Sequence, residues 1–154
     1  MALIQLHTTI NADKSTCFNQ ARSVETHLAS TKKTGERVVA GRKTGLFEVD
    51  DIVTWEATHF GIKQQLTVQI TKMDFPFSFE DKMLKGAFKY MRHEHHFKTK
   101  DGKTIMSDHF EFSSPLGILG QIFDFLILKR YMTRFLIKRN AVIKELAENS
   151  KQVF

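Results

Sequence analysis

From residue 51 onward, apolar and polar positions alternate with a period of two. Val53, Trp55, Ala57 and His59 take one parity, and Thr54, Glu56 and Thr58 take the other. Leu66, Val68 and Ile70 alternate with Gln65, Thr67, Gln69 and Thr71, and Phe75, Phe77, Phe79 and Met83 alternate with Ser78, Glu80 and Lys82. Successive side chains on a strand point to opposite faces, so the pattern predicts strands with one buried and one wet face. Phe60-Gly61, Asp74 to Pro76, Lys85-Gly86 and Asp101-Gly102 fall between the runs. These are turn residues, Asp-Gly above all, and they predict hairpins joined into an antiparallel meander.

Before the meander, Leu3 to Ile10 reads as a first strand. Asn11 and Asp13 are N-cap candidates for a short helix to about Arg22, and Ser23 could cap a second one, Val24 to Ala29. Lys32-Lys33-Thr34-Gly35 ends it and leads to a strand near Arg37 to Gly41. After Pro115 the period changes. Ile122, Phe125, Met132, Phe135, Leu136, Arg139 and Ile143 recur at three- and four-residue spacing, with no Gly or Pro from Gln121 to Asn149. That predicts a helix of about seven or eight turns. A sheet with one apolar face and one long amphipathic helix must bury those faces together. The expected fold is therefore α+β: a curved antiparallel sheet of about seven strands around a long C-terminal helix, with a pocket between them. No repeat or Pro/Gly-rich linker divides the chain, so residues 1–154 are expected to form one domain.

Composition sharpens the pocket. Fourteen Phe against two Tyr and one Trp add apolar area without polar groups to satisfy, which points to a large interior or a greasy cavity. The single cysteine, Cys17, rules out an intrachain disulfide and fits the cytoplasm. Met-Ala-Leu-Ile-Gln-Leu-His has no basic n-region and does not read as a signal peptide. Leu116 to Leu128 is apolar, but Gln121 and Asp124 break it and it is too short to span a bilayer. The net charge of +6 is scattered apart from a cluster between Lys129 and Arg139, so nucleic acid is not the expected partner. Arg130, Arg134 and Lys138 share one helical face at i, i+4 spacing. That face is either solvated or able to rest transiently on anionic lipid.

The alternation also carries polar residues inward. Met91, His93, His95 and Phe97 share one parity, and so do Met106, Asp108, Phe110 and Phe112. Asp81 falls in phase with Phe77, Phe79 and Met83, and His59 with Trp55. Five ionisable side chains exceed what a dry core tolerates, since each unpartnered buried polar group costs about 1–3 kcal/mol. A partly wet cavity with apolar walls resolves the conflict. His59, Asp81, His93, His95 and Asp108 then either contact a ligand or satisfy one another as a structural network. His-x-His on a strand beside an aspartate could hold a metal, but no HExxH or CxxC accompanies it and no metal is expected. Without a G-x-S-x-G, Walker loop or GxGxxG, no cofactor is expected either.

Several segments resemble a known superfamily. Val53-Thr54-Trp55-Glu56-Ala57 and Phe79-Glu80-Asp81-Lys82-Met83, followed by Gly86-Ala87-Phe88, are similar to a bacterial branch of the START-related, birch-pollen-allergen-like (SRPBCC) domains. So are His93-Glu94-His95-His96-Phe97, Met106-Ser107-Asp108, and Ser114-Pro115-Leu116-Gly117-Ile118-Leu119-Gly120. The resemblance implies the helix-grip fold and a deep cavity, used across the superfamily for lipids, polyketides, sterols and hormones. It implies that Ser114 to Gly120 lies near the mouth, either as a gate or as a plain strand-to-helix turn. Some members are cyclases or dehydratases, and others dock ubiquinone or ribosomal partners. The branch supplies no catalytic motif to carry over, and no catalytic residue is assigned.

The leading expectation is a non-enzymatic binder or carrier of a small hydrophobic molecule with a polar end. Trp55, Phe77, Phe79, Met83, Met91, Met106, Phe110, Phe125 and Met132 are the candidate walls. His59, Asp81, His93, His95 and Asp108 are the candidates for the polar end, and Arg139 could pair with Asp81 or Asp108. The alternatives are a cyclase- or dehydratase-type enzyme using His93, His95 or Asp108 as acid and base, and contact with a membrane or macromolecule through the basic helix. Ligand identity and oligomeric state are not set by the sequence.

Overall fold

The computed structural model describes residues 1–150. A first strand, β1 (Ala2–Ile10), is followed by α1 (Lys14–Ala21), α2 (Val24–Ser30) and a 3-10 turn at Lys32–Thr34. Six strands then form the meander: β2 (Arg37–Gly41), β3 (Ile52–His59), β4 (Ile62–Asp74), β5 (Ser78–Lys85), β6 (Tyr90–Lys100) and β7 (Lys103–Ser113). The chain ends in α3 (Gly117–Phe123), a π-helical segment (Asp124–Leu128) and α4 (Lys129–Asn149), which run on as a helix of 33 residues. The sheet order is β1-β7-β6-β5-β4-β3-β2, antiparallel throughout. This is the helix-grip architecture expected from the sequence. Among the described residues no helix is long and apolar enough to cross a membrane.

The turn chemistry explains the register. Phe60 and Gly61 (φ 53° and 73°) and Asp101 and Gly102 (φ 53° and 75°) adopt consecutive left-handed conformations. They close two-residue loops between His59 and Ile62 and between Lys100 and Lys103, and such loops match the twist of the paired strands. β1 and β2 lie at opposite sheet edges, so the chain between them must cross the whole sheet. The two short helices make that crossing. Ser23 caps α2 as expected, its Oγ accepting from Thr26 N at 3.2 Å. Asp13 occupies the N-cap position of α1 without bonding it through its side chain.

The interior has two regions. At one end of the curled sheet, Ile10, Phe18, Phe79, Phe97, Met106 and Ile143 form a solid plug. Phe18 packs on Phe75, Phe79 and Phe97 with centroids 5.1 to 5.3 Å apart. Beneath the middle of the helix, Val53, Trp55, Val68, Phe112 and Leu136 belong to a second cluster. The far end, between the β3–β4 turn, the β5–β6 turn and the start of α3, is unplugged.

The strand and helix periods depart from expectation in two places. Phe75 and Phe77 do not extend β5 inward; they belong to a turn with a cis Phe75-Pro76 bond, and both are exposed. Ile122 and Phe125 are exposed although their spacing places them on the buried stripe. The π segment widens one turn of the helix and shifts the phase, so Asp124 and Leu128 face inward instead. Downstream the stripe resumes with Leu136, Arg139, Asn140, Ile143 and Ala147.

Gly41 gives a direct test of the sheet edge. It has φ +85°, and a Cβ there would collide with the carbonyl oxygen of Ile52. Gly41→Ala is expected to cost more than about 1 kcal/mol, read from the urea midpoint at unchanged slope.

Candidate functional site

Between the concave face of the sheet and the helix lies a cavity of about 710 Å³. That is the size of sites that hold drug-sized molecules. Trp55, Ala57, Val68, Ile70, Met91 and Phe110 supply apolar wall from the strands, and Leu128, Met132, Phe135 and Leu136 from the helix. His59 also lines it, near the open end, with Nδ1 2.6 Å from the Tyr131 hydroxyl.

The polar groups gather at the floor, and cross-strand register explains how. Asp81 pairs with His93, and His95 with Asp108. The hydrogen bonds run along the diagonals. His93 Nε2 lies 2.7 Å from Asp108 Oδ1, and His95 Nε2 lies 3.0 Å from Asp81 Oδ1. The two imidazoles lie 3.8 Å apart between centroids, and Phe79 stacks on His95 at 4.1 Å. The helix closes the network. Asn140 Nδ2 donates to Asp108 Oδ2 at 2.6 Å, and Arg139 Nη1 lies 3.7 Å from Asp108 Oδ1. Arg139 also donates to Asn140 Oδ1 and to the Ala21 carbonyl. His95 Nδ1 is buried without a hydrogen bond, 3.5 Å from Asp108 Oδ1. Glu80, next to Asp81, points through to the outer face, where Arg92 and Thr71 hold it at 2.6 Å each.

These contacts set the charges. Burial alone would raise the Asp108 carboxyl, but the His93 bond, the adjacent His95 and the Arg139 charge hold it well below the usual carboxylate range. Asp81 is likewise lowered against its burial, by the His95 bond and by the positive neighbours. Burial and the adjacent His95 push His93 down to about 4, against the pull of Asp108. Burial also lowers His59. At neutral pH the floor therefore holds two ionised carboxylates and the Arg139 guanidinium, and His93 is uncharged. Asp81, His93 and His95 each offer a ligand atom within 4.8 Å of the others, as a metal ion would require. The donors of that set are turned on carboxylates, with a guanidinium already beside them.

Of the residues singled out in the sequence, Trp55, His59, Phe79, Asp81, Met91, His93, His95, Phe110 and Met132 line the cavity. The others lie elsewhere. Asp108 is fully buried behind the histidines. Met106 sits in the plug at the closed end. Met83 packs on the sheet core beside Gly86. Phe77 is exposed under the Lys14 ammonium, and Phe125 is 72% exposed on the outer side of the helix. Leu66, Tyr131 and Glu36 also line the cavity without having been singled out, and Glu36 is bound to His27 Nε2 at 2.7 Å. Tyr131 stands four residues before Phe135, a spacing that could have found it.

The mouth is apolar. Phe60, Ile62, Leu116, Phe123 and Ile127 line the cavity and are exposed, and Ile118, Leu119, Ile122 and Leu126 are exposed on the same α3 and π-helical stretch. The Ser114 end of the Ser114 to Gly120 segment is anchored: Ser114 N and Oγ both donate to the buried Asp124 carboxylate of the π segment. Arg130, Arg134 and Lys138 lie exposed on the outer face of α4.

No protein-family model matches the chain, and no curated protein matches it by sequence. Solved structures do match, all at low identity. The protein TTHA0849 from Thermus thermophilus superposes with a TM-score of 0.78 at 15% identity, over 98% of this chain and 100% of that one. The Zhui aromatase/cyclase from a Streptomyces species gives 0.73 at 12% identity, over 99% and 96%. Major latex-like protein 151 from Panax ginseng gives 0.66 at 16% identity, over 94% and 95%. At such identities the likeness is one of fold.

Two outcomes follow from the buried network. Asp108→Ala strips the partner from His93, Asn140 and Arg139 and leaves a guanidinium uncompensated, and it is expected to cost about 3–5 kcal/mol in chemical denaturation. On acidification, His93 comes first. Its folded value of about 4 lies below the unfolded value, so its contribution is complete above about 6.5 and lost as pH falls toward 4. The lowered Asp81 and Asp108 contribute above about 3.9 and are lost below it. Melting temperature should fall in that order, and His93→Gln should flatten the upper limb.

Proposed function

We propose that this chain, which has the helix-grip fold of the START-related, birch-pollen-allergen-like superfamily, binds and carries a small hydrophobic molecule with a polar end. The observation that carries this is the cavity of about 710 Å³, apolar on its walls and polar at its floor. A dry core would fill that space, because interiors pack to the density of organic crystals. Apolar walls would hold the body of the molecule, and Asp81 and His93 would meet its polar end. Asp108 and Asn140 stand behind them and hold the floor in shape.

Carriage is favoured over turnover by the state of His93. A general base works best when its pKa lies near the working pH. His93 at about 4 is a weak base and already uncharged at neutral pH. The similarity to an aromatase/cyclase is one of fold, and fold does not bring chemistry with it. We also place the exchange of ligand at an anionic lipid surface. The apolar residues around the mouth would enter the interfacial layer, with Arg130 and Arg134 on the next turns of the helix to meet the headgroups.

Binding of the neutral fluorescent probe N-phenyl-1-naphthylamine tests the reading, with Trp55, the sole tryptophan and a wall residue, as an internal reporter. Saturable binding of one probe per chain is expected. Val68→Phe, which fills the cavity from its wall, should weaken it at least about tenfold, or about 1.4 kcal/mol. A folded protein that takes up no probe, and releases no small molecule on denaturing extraction after native mass spectrometry, would overturn the proposal.

A further inference from the structure

The charge outside and the charge inside this protein have opposite sense. The chain carries +6 overall, yet the cavity and its immediate backing hold three carboxylates, Asp81, Glu36 and Asp108, against one guanidinium, Arg139. Two of the three carboxylates are engaged by the protein. Glu36 is bound by His27 Nε2 at 2.7 Å, and Asp108 takes His93 and Asn140 on its two oxygens. Asp81 is different. Its Oδ1 takes His95 at 3.0 Å, and no described residue donates to its Oδ2.

Exposure says where that oxygen faces. The Asp81 side chain lines the cavity and is 16% exposed, whereas His95 and Asp108 beside it are 2% and 0%. An ionised carboxylate accepts at both oxygens and donates at neither. The floor's one cation and its nearest imidazole are already engaged with Asp108 and its partners. Arg139 turns Nη1 on Asn140 Oδ1 and Nη2 on the Ala21 carbonyl, and His93 turns Nε2 on Asp108. A carboxylate-headed ligand reaching the floor would meet a like charge in a region shielded from water, where Coulomb repulsion is strong. A protonated amine would meet an acceptor with a free oxygen and form a charge-assisted hydrogen bond.

We propose that the Asp81 carboxylate makes the cavity selective for hydrophobic molecules whose polar end is a protonated amine, and that it discriminates against fatty-acid-like anions. The proposal rests on the carriage reading and names the ligand class for the same cavity. Recognition would lie in Asp81 Oδ2 accepting from the ammonium. His95 on Oδ1 would hold the carboxylate in place, and the apolar walls would take the chain.

Three probes of one chain length separate the outcomes: decylamine, decanol and decanoate, titrated into the full-length protein at pH 7 below their aggregation limits, by displacement of N-phenyl-1-naphthylamine. Decylamine is expected to bind at least about tenfold more tightly than decanol, with decanoate weakest, because only the ammonium adds an opposite charge to the bond it donates. In Asp81→Asn, checked as folded by its melting temperature, the ratio of decylamine to decanol affinity should fall to within about twofold of one, because the ammonium has lost its ionic partner. Decanoate binding as tightly as decylamine to the unaltered protein, or an amine preference that survives Asp81→Asn, would overturn the proposal and leave carriage standing. Failure of all three, decanol included, would overturn carriage and this inference together.

Discussion

Asp108 carries a full charge with no access to water, and the middle of the molecule is arranged around its compensation. An isolated buried carboxylate would take up a proton rather than stay ionised. Here it is met from three residues on two elements: His93 on β6, and Asn140 and Arg139 on α4. Arg139 reaches on to the Ala21 carbonyl at the end of α1. One charge thereby ties the sheet, the long helix and the crossing helices together at a fixed separation. Apolar contact alone pulls a helix onto a sheet without specifying a gap. Directional bonds to a buried ion specify one.

That bracket explains why the interior is full at one end and hollow at the other. Beyond the network, toward the plug, Phe18, Phe97, Met106 and Ile143 close the space. On the other side the helix widens through its π segment, and its large apolar residues turn outward rather than down. The Asp124 carboxylate that faces inward is spent on Ser114, which fixes the junction between β7 and α3. The hollow is thus bounded by two acidic anchors, Asp108 at its floor and Asp124 beside its mouth.

Much of this was legible in the sequence because strand parity is a strong constraint. One register places Met91, His93, His95 and Phe97 on one face and leaves no other face for Asp108 or Phe110. Parity does not distinguish a residue that lines a cavity from one that backs it. Asp108 and Met106 point inward as expected, yet one stands behind the histidines and the other fills the plug. Phe77 shares the parity of β5 but precedes it, because the chain is still turning at Phe75-Pro76. Phe125 fits a 3.6-residue repeat that the π segment interrupts, and a change of helix type leaves no mark in hydrophobic spacing. Glu36 enters the cavity through packing between elements distant in sequence, which no local pattern records, whereas Tyr131 lies one turn before Phe135 on the same helix.

The cavity has one open end, and this makes occupancy visible from outside. A molecule whose head rests at Asp81 must enter head first, so its tail is the last part to pass the mouth. The tail would then lie among Phe60, Phe123 and Ile127, exposed side chains that line the cavity. Filled and empty forms would therefore differ in surface tension at this end rather than in backbone shape. A short guest would leave the rim adhesive, and a guest long enough to reach it would either mask the rim or enlarge it. The length of the cargo, not a moving lid, would then decide how readily the protein lets go of whatever apolar surface it touches.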